Sequence, residues 1–447
     1  MSRLKRVLLA AALSLAPLGA QAADLVVWWP EGYYAEEDAA VRETIAAFEQ
    51  DSGKMVELVF YPEQGLPDRI AAGLKRGQPP DFVFGFWRPS YVRTWAFEDR
   101  LVDLTDTVGH FSDLFDPNQL DRAVQLNART GERALYGLPM GQISNYVHVW
   151  KSLLERAGFS LADIPTRWEP FWAFWCDQAQ PAVRQALGRD DIWGIGRPMS
   201  AGSDDTAFQF FQFIYAYDAD YVTRDGKLVI DEPEIRRRLV KAIDSYTAIY
   251  RKGCIPPDAL TWDDSGNNRA FLAATVVMTT NNTLSIPNAL KRERPEDYYE
   301  NTATIEWPLG PSGETFPMEG ALFQAMVFKD GGNVATAREF VRFLVAEGWL
   351  MHFLNSSGER MLPSIPALLD QPFWLDPSDR HHMIAVMQAE SRPTAHNYGL
   401  ASGDLGHDQV FREHVWAKAI HRIVTENITP EQAVDEAMAR IKEILAE

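Results

Sequence analysis

Aromatic and polar side chains stand together where the sequence predicts that buried strands end. Two tryptophans and a glutamate follow the first apolar strand, and two later strand-like runs end in comparable groups. These residues are Trp28, Trp29, Glu31, Trp87, Arg88, Asn281 and Asn282. Ligands of parallel α/β sheets meet the carboxyl ends of the strands, so we expect these side chains to share one binding site.

Two further segments carry the same residue types, one just after Pro139 and one in a loop that starts near residue 262. They contribute Gln142, Ser144, Asn145, Trp262 and Asp263. Tryptophan rings can cover the apolar C–H faces of a pyranose, while carboxylates, amides and arginine hydrogen-bond to its hydroxyls. A concave site with a few convergent polar groups is what a small ligand requires. The residue types therefore predict a sugar-binding site.

Each candidate also has a purely structural interpretation. Neighbouring residues of a strand point to opposite faces, so we expect at most one of Trp28 and Trp29 to be fully buried. Asn281 and Asn282 could instead satisfy backbone groups at a hinge. For Trp150, core packing is favoured over ligand contact.

The residues do not predict an enzyme. Asp263 and Asp264 are adjacent carboxylates, but neighbours in a loop rarely face each other at the separation that glycoside hydrolysis needs. The sequence contains no phosphate-binding Gly-Lys-Ser/Thr loop, zinc-binding helix motif or nucleophilic serine elbow. The remaining metal-ligand candidates are His381, His382, Asp404, His407 and Asp408. We interpret them as surface residues and expect no catalytic residue, no metal and no cofactor.

A second ligand chemistry fits the first of these segments. Its aromatic rings and carboxylates could enclose a cation such as a quaternary amine or a polyamine. The cage would comprise Trp28, Trp29, Glu31, Tyr33, Tyr34, Glu36 and Glu37. Salt would weaken the capture of a cation by carboxylates but would hardly affect a neutral sugar. A secreted structural or adhesin-like protein, the third alternative, would bind no small molecule.

The first 22 residues have the three parts of a secretory signal peptide. Three basic residues precede the apolar run Val7–Leu18, and the small residues Ala20 and Ala22 precede the expected cleavage. The apolar run is too short to span a bilayer comfortably. No cysteine occurs before Cys176, so the new terminus has none to carry a lipid anchor. We therefore expect the mature chain to be free in the periplasm, or secreted. We also expect it to be a monomer.

Length and charge further narrow the possible classes of protein and of binding partner. Removing the leader with its three basic residues takes the chain from 447 residues and a formal charge of −19 to 425 residues and −22. That length favours two domains, and that charge disfavours nucleic acid and anionic lipid as partners. The hydrophobic share of 46% excludes general disorder. Cys176 and Cys254 leave a disulfide and two buried thiols as open alternatives.

Strands and helices alternate near the start, which predicts a parallel sheet covered by helices. The predicted elements are Asp24–Val27, Asp38–Gln50, Met55–Tyr61, Asp68–Arg76 and Phe82–Phe86. A helix-rich region follows, with amphipathic helices at Pro233–Lys252 and Ala335–Val345 and a strand at Thr275–Thr279. A capping signature starts the last helix at Thr429. No repeat or long linker marks a domain boundary.

Several short blocks carry a family resemblance when they are taken in order. They are Leu135–Pro139, Tyr146–Trp150, Lys151–Gly158, Pro165–Phe171, Trp193–Gly196, Gly226–Asp231, Gly253–Pro257, Trp307–Pro311, Ala337–Phe340 and Ser357–Gly358. The chain resembles the extracellular solute-binding proteins of carbohydrate ABC transporters, the maltose-binding-protein group, from about Asp24 to about Pro366. It departs from their pattern at Trp150, where the family often has a polar residue, and at Ala274–Met278.

The resemblance implies an α/β fold with two lobes, each a mainly parallel sheet flanked by helices, around a ligand cleft. Lobe one would comprise residues 23–139 and 277–325, and lobe two residues 140–276 and 326–447. Hinges would fall near Gly141, Thr279 and Ala325. The resemblance also implies a receptor that closes on a sugar or oligosaccharide and delivers it to an ABC permease without covalent chemistry.

Overall fold

The computed structural model describes most of the chain after the predicted leader. The described residues are 22–62, 65–85, 89–223, 227–346, 348–357, 360–392, 395 and 406–446. The leader up to residue 21 and the site candidates Trp87 and Arg88 lie outside them. The signal peptide therefore stays a prediction. No helix within these ranges is long and apolar enough to cross a membrane.

Two main sheets organise the fold. The strands are β1 (Leu25–Pro30), β2 (Val56–Tyr61), β3 (Phe82–Phe84), β4 (Val124–Leu126), β5 (Arg133–Leu135), β6 (Leu138–Ser144), β7 (Tyr146–Trp150), β8 (Trp193–Gly196), β9 (Val276–Asn281), β10 (Thr302–Ile305), β11 (Gly320–Val327) and β12 (Leu362–Pro363). The first sheet has the order β12-β6-β11-β3-β1-β2 and the second the order β10-β7-β9-β8, while β4 and β5 form a separate hairpin. β1 is parallel to β2 and β3, and β8 is parallel to β9.

Helices cover both sheets. They are α1 (Ala35–Ser52), α2 (Leu66–Arg76), α3 (Pro89–Phe97), α4 (Thr105–Gly109), α5 (Pro117–Ala123), α6 (Lys151–Arg156), α7 (Trp168–Ala173), α8 (Gln180–Leu187), α9 (Asp204–Ala216), α10 (Pro233–Arg251), α11 (Gly266–Leu272), α12 (Ser285–Glu293), α13 (Val334–Ala346), α14 (Trp349–Ser356), α15 (Pro366–Leu369), α16 (Arg380–Ser391), α17 (Gly406–Arg412), α18 (Val415–Glu426) and α19 (Pro430–Ala446). The alternating α/β order predicted for the first residues is confirmed.

Each sheet has its own hydrophobic core. In the first, β1 packs with β3 and with the apolar faces of α1 and α13. In the second, β7, β8 and β9 pack with α7, α9 and α10 in a larger, aromatic-rich cluster. Separate cores define two lobes, which we call the first lobe and the second lobe after their sheets.

The chain crosses between the sheets at three places. β6 ends at Ser144 in the first sheet and β7 begins at Tyr146 in the second, so Asn145 is a crossing point. A second crossing runs from Ile305 to Gly320, and a third follows Pro363. Three crossings of this kind tie the lobes together side by side.

The strand pairing divides the chain differently from the predicted lobe boundaries. β9 and β10 were expected mostly in lobe one, but both pair with β7 in the second sheet. The predicted hinge Thr279 lies inside β9, opposite His148. β9 pairs in parallel with β8 and is buried along its whole length, which is the environment of a central strand. Gly141 and Ala325 likewise lie within the first sheet.

Two local expectations are settled. Cys176 and Cys254 form a disulfide, with their Cα atoms 5.1 Å apart. Thr429 caps the last helix as predicted, because the backbone N–H of Gln432 donates to Thr429 Oγ1 at 3.1 Å, whereas the Gln432 side chain, expected to complete a capping box, donates to Glu436 Oε1 at 2.9 Å. The bridge ties the π-helical stretch Phe174–Ala179 to the segment after α10, so it braces the second lobe.

Candidate functional site

The two tryptophans of β1 occupy opposite faces of the first sheet. Trp29 is 3% exposed and stacks on Phe84, with ring centroids 4.6 Å apart. Trp28 is half-buried and meets Tyr61 edge-on at 5.0 Å. The prediction that at most one of the pair is fully buried is confirmed. Trp29 thus belongs first to the core of its lobe.

A small cavity lies where β1 ends. Trp29, Glu31, Glu37, Phe84 and Arg360 are among the residues that line it. Its lining combines aromatic rings with two carboxylates and one guanidinium. The end of β1 therefore combines the apolar and polar groups that the sequence predicted there, although Trp29 itself is almost fully buried.

Three side chains that are far apart in sequence form a hydrogen-bonded chain at the facing edge of the second lobe. Asn145 Nδ2 donates to Asn282 Oδ1 at 2.9 Å, and Asn282 Nδ2 donates to Asp205 Oδ1 at 2.7 Å. Asn145 is the crossing residue, Asn282 follows β9, and Asp205 begins α9. The Oδ1 atom of Asn145 is buried without a hydrogen-bond partner in the described part of the chain. A buried acceptor of this kind normally accepts a hydrogen bond, here from a water or a ligand.

Carboxylates cluster beside this chain. Asp264 Oδ1 accepts hydrogen bonds from Ser203 Oγ at 2.6 Å and from the backbone N–H of Asp205 at 3.1 Å. Burial raises the pKa of Asp205 well above its ordinary 3.8, and the negative charges of Asp264 and Asp204 raise it further. Asp205 can therefore hold a proton more readily than an ordinary aspartate, so its carboxyl can both donate to and accept from a hydroxyl.

Asn281 has a mainly structural set of contacts. Its Nδ2 donates to the carbonyl of Thr283 at 2.8 Å, and its Oδ1 accepts from Asn267 at 3.0 Å. Asn281 is 4% exposed. These bonds shape the turn that leaves β9, which is the alternative reading that the sequence left open. The neighbouring Asn282 instead extends to Asn145 and Asp205.

Gln142 faces the other side of the junction between the sheets. Its Oε1 accepts from Gln119 Nε2 at 2.6 Å, and its Nε2 donates to the carbonyl of Pro363 at 3.2 Å. The next polar residue of β6, Ser144, accepts from Gln388 Nε2 at 2.9 Å. Gln142 and Ser144 are half-buried, so this amide-rich wall is accessible beside Asn145.

Trp262 and Asp263 lie apart from the hydrogen-bonded chain. The side chain of Asp263 is 68% exposed and pairs with Arg269 at 2.7 Å. Trp262 Nε1 donates to Asp258 at 3.1 Å, and its ring packs on the second-lobe core. The adjacent Asp264 is the residue of this loop that reaches Asp205. Asp263 and Asp264 are equivalent candidates in the sequence, and only the fold shows that Asp264 contacts Asp205 while Asp263 pairs with Arg269.

The proposed cation cage is already engaged by arginines of the chain itself. Arg292 lies over the ring of Tyr34 and pairs with Glu36, while Arg360 pairs with Glu37. Tyr33 is 55% exposed. Three of the seven residues predicted to enclose an external cation, namely Tyr34, Glu36 and Glu37, thus contact arginines of the chain itself.

Helix α9 is the site element that the sequence reasoning missed. Every residue of α9 is buried, including Gln212, whose amide nitrogen and oxygen have no hydrogen-bond partner among the described residues. At its other end, Tyr215 donates to Glu319 Oε2 at 2.7 Å in the second crossing. The signal was present in the paired acids Asp204 and Asp205 followed by an aromatic-rich run, a pattern typical of a capped, buried helix.

Two histidines correct an expectation. His381 and His382 were interpreted as surface residues, but they are 2% and 3% exposed. His381 Nδ1 lies 2.7 Å from Thr304 Oγ1, and burial lowers its pKa to about 4. No group of three or more potential metal ligands occurs within the described residues. Asp404 and the side chains of His407 and Asp408 lie outside them.

Trp150 packs in the core as predicted. It is 4% exposed, stacks on Phe271, and donates from Nε1 to the carbonyl of Phe271 at 2.7 Å. Its large ring is therefore part of the second-lobe core. The residue that departs from the family pattern at this position lies away from the facing edges of the lobes.

Two α/β lobes, joined by three crossings and facing each other across polar strand ends, define a two-lobed binding protein of the periplasmic type. The chain belongs to the bacterial extracellular solute-binding protein family, whose pattern matches residues 43–377. No curated protein matches the sequence significantly.

Solved structures share the whole fold. An ABC-transporter solute-binding protein of Thermotoga lettingae, bound to α-D-tagatose, is similar with a TM-score of 0.75 at 18% identity, over 94% of this chain and 99% of that chain. Maltose-bound MalE3 of T. maritima gives 0.72 at 18% identity, over 94% and 99%. The sugar-binding protein MalE of Xanthomonas citri gives 0.70 at 18% identity, over 94% and 97%. The described architecture is thus that of MalE-like binding proteins.

Proposed function

We propose that this protein is the substrate-binding component of an ABC importer and that it binds a sugar or oligosaccharide between its lobes. The observation that carries the proposal is membership of the solute-binding family over residues 43–377. Similar folds occur in proteins bound to α-D-tagatose, maltose and laminaribiose. The protein performs no covalent chemistry, and lobe closure presents the loaded form to the permease.

The polar groups at the facing edges suit a neutral polyol. Asn145, Asn282 and Gln142 supply both donors and acceptors, and Asp205, whose pKa burial raises, adds carboxyl oxygens beside them. A sugar hydroxyl also donates and accepts, so each of these groups can meet it without leaving a charge unpaired. Glu31 supplies an acceptor from the first lobe.

An aromatic surface for the sugar ring is proposed from the same edges. Trp87 and Arg88 follow β3, whose carboxyl end adjoins that of β1, and we retain them as ligand-binding residues. Asn281, Trp262 and Asp263 are supporting residues in this proposal, because their contacts shape the turn and loop on either side of Asn282 and Asp264.

The cationic alternative is less well supported by the contacts. Glu36 and Glu37 are paired with Arg292 and Arg360, so a cationic solute would have to displace internal guanidinium groups. Location in the periplasm after leader cleavage agrees with the family and with the composition of residues 1–22. A permease is the partner that such a receptor serves.

A fluorescence screen tests the proposal. The chain has 14 tryptophans, so lobe closure should change its emission. Mono- and oligosaccharides, including tagatose, maltose and laminaribiose, should be compared with ribitol, choline and spermidine. Saturable responses to sugars support the proposal; a response confined to choline or spermidine contradicts it.

A further inference from the structure

The two lobes contact each other through an arginine of α12. Arg292 Nη2 lies 2.5 Å from Glu36 Oε1, and its guanidinium carbon lies 4.3 Å from the ring centre of Tyr34. Glu36 is in the first turn of α1, and Tyr34 is its N-cap residue. α1 packs in the first-lobe core, whereas α12 packs in the second-lobe core through Ile286 and Leu290. The pair therefore joins the lobes and not two parts of one lobe.

A second contact lies beside the first. The backbone N–H of Leu284, which precedes α12, donates to the carbonyl of Arg360 at 3.2 Å. The side chain of Arg360 forms a two-pronged pair with Glu37, with bonds of 3.1 and 2.9 Å. Glu37 is 2% exposed, so this carboxylate depends on its arginine partner. The first turn of α1 thus forms ion pairs with both arginines, through Glu36 and Glu37.

The position of these contacts matters for opening and closing. α1 starts just after the end of β1, and α12 starts just after Asn282. Tyr34 and Glu36 stand at the start of α1, whereas Arg292 lies in the last turn of α12. Because the contact joins a helix of one lobe to a helix of the other, rotating the lobes apart would have to separate Arg292 from Tyr34 and Glu36. The Arg292 and Glu36 side chains are 33% and 57% exposed, so water can replace their contact when it breaks.

We propose that Tyr34, Glu36 and Arg292 form a latch that keeps a fraction of the protein closed before any ligand binds. A ligand selects the closed arrangement, so its apparent affinity scales with the fraction already closed. Breaking the latch should lower the closed-to-open ratio by about 2- to 10-fold, as expected for an accessible ion pair combined with a cation–π contact. High salt should act in the same direction.

The latch can be tested without a ligand, so its failure is distinguishable from failure of the proposed function. Exposed lysines of the two lobes, Lys75 on α2 and Lys241 on α10, can be replaced by cysteine and spin-labelled. The native cysteines are paired in the disulfide and leave the labels specific. Pulsed electron–electron double resonance then reports the distribution of distances between the two spin labels, one on each lobe.

Four variants make the measurement decisive. Arg292→Ala and Glu36→Gln should each move population toward longer distances. The reversed pair Glu36→Arg with Arg292→Glu keeps an ion pair but loses the Arg292 contact with Tyr34, so its distribution should lie between those of Arg292→Ala and wild type. Arg189→Ala breaks an exposed ion pair with Asp191 inside the second lobe and should change nothing. The latch is overturned if the distributions of all variants coincide with wild type, or if the reversed pair is no closer to wild type than Arg292→Ala.

Discussion

Glu319 should make the stability of this protein depend on pH in a way that one substitution removes. The residue lies in the second crossing, accepts from Tyr215, and faces Arg122 of α5, which donates to the carbonyl of Gly320 at 2.8 Å. Burial raises the pKa of Glu319 from 4.5 to about 7, although the Tyr215 hydrogen bond and the Arg122 charge lower it; Asp220 adds to the rise.

The sign and size of the effect follow from linkage. The folded state holds the proton of Glu319 more tightly than the unfolded chain, so this contribution to stability is fully present below pH 4.5 and is lost as the pH rises through about 7. Since one pKa unit corresponds to about 1.4 kcal/mol, the loss amounts to at most roughly 3 kcal/mol. Glu319 is half-buried, so solvent screening reduces that figure.

Glu319→Gln removes the ionisation but keeps the shape and a hydrogen-bond acceptor for Tyr215. Urea unfolding followed by tryptophan fluorescence should show the variant to be more stable than wild type at pH 8, by about 1–3 kcal/mol, and nearly equal at pH 4.5. Glu314→Gln, an exposed change on the same crossing, is the matched control. A difference between Glu319→Gln and wild type that is the same at both pH values would refute the reasoning.

Three further results are expected. Replacing both Cys176 and Cys254 with serine, which removes a bridge across 78 positions, should lower the free energy of unfolding by about 4–5 kcal/mol, measured in urea with and without a reductant. Trp29→Ala should cost about 3–5 kcal/mol in the same assay because its ring fills the first-lobe core, whereas half-buried Trp28→Ala should cost clearly less; equal costs would contradict the assigned faces. Asn282→Ala should weaken sugar binding about 10-fold, corresponding to roughly 1.4 kcal/mol, while Asn301→Ala, which loses a hydrogen bond to Asp297 elsewhere in the second lobe, should leave binding unchanged.

Local patterns predicted the first strands and helices of the chain well. The alternation of apolar strands and amphipathic helices up to β3 is visible without long-range information, and so is the capping signature at Thr429. Strand geometry also sufficed to place Trp28 and Trp29 on opposite faces. Each of these inferences depends on neighbours in sequence.

The features that the sequence did not predict depend on contacts between segments that are distant in the chain. Asp205 reaches Asn145 only through Asn282, and nothing in a single sequence shows that these three positions meet. β9 resembles a strand of either lobe until its parallel partner β8 is known. His381 and His382 looked like surface residues because their burial comes from segments outside α16: His381 packs on β10, and His382 packs against Phe373 and Trp374. In each case the outcome depends on which other segment packs against the residue or strand, and only the complete fold determines that.

Isothermal titration calorimetry of a sugar identified by the fluorescence screen tests the central claim most directly. Wild type, Asn282→Ala and Asn301→Ala should be titrated at about 50 and 500 mM NaCl, since screening separates charge capture from hydroxyl recognition. The account predicts one sugar per chain, weaker binding only in Asn282→Ala among the variants, and no loss of affinity at high salt beyond the about 2- to 10-fold that opening the latch allows. Unchanged binding in Asn282→Ala, or an affinity that falls steeply with salt, would contradict it.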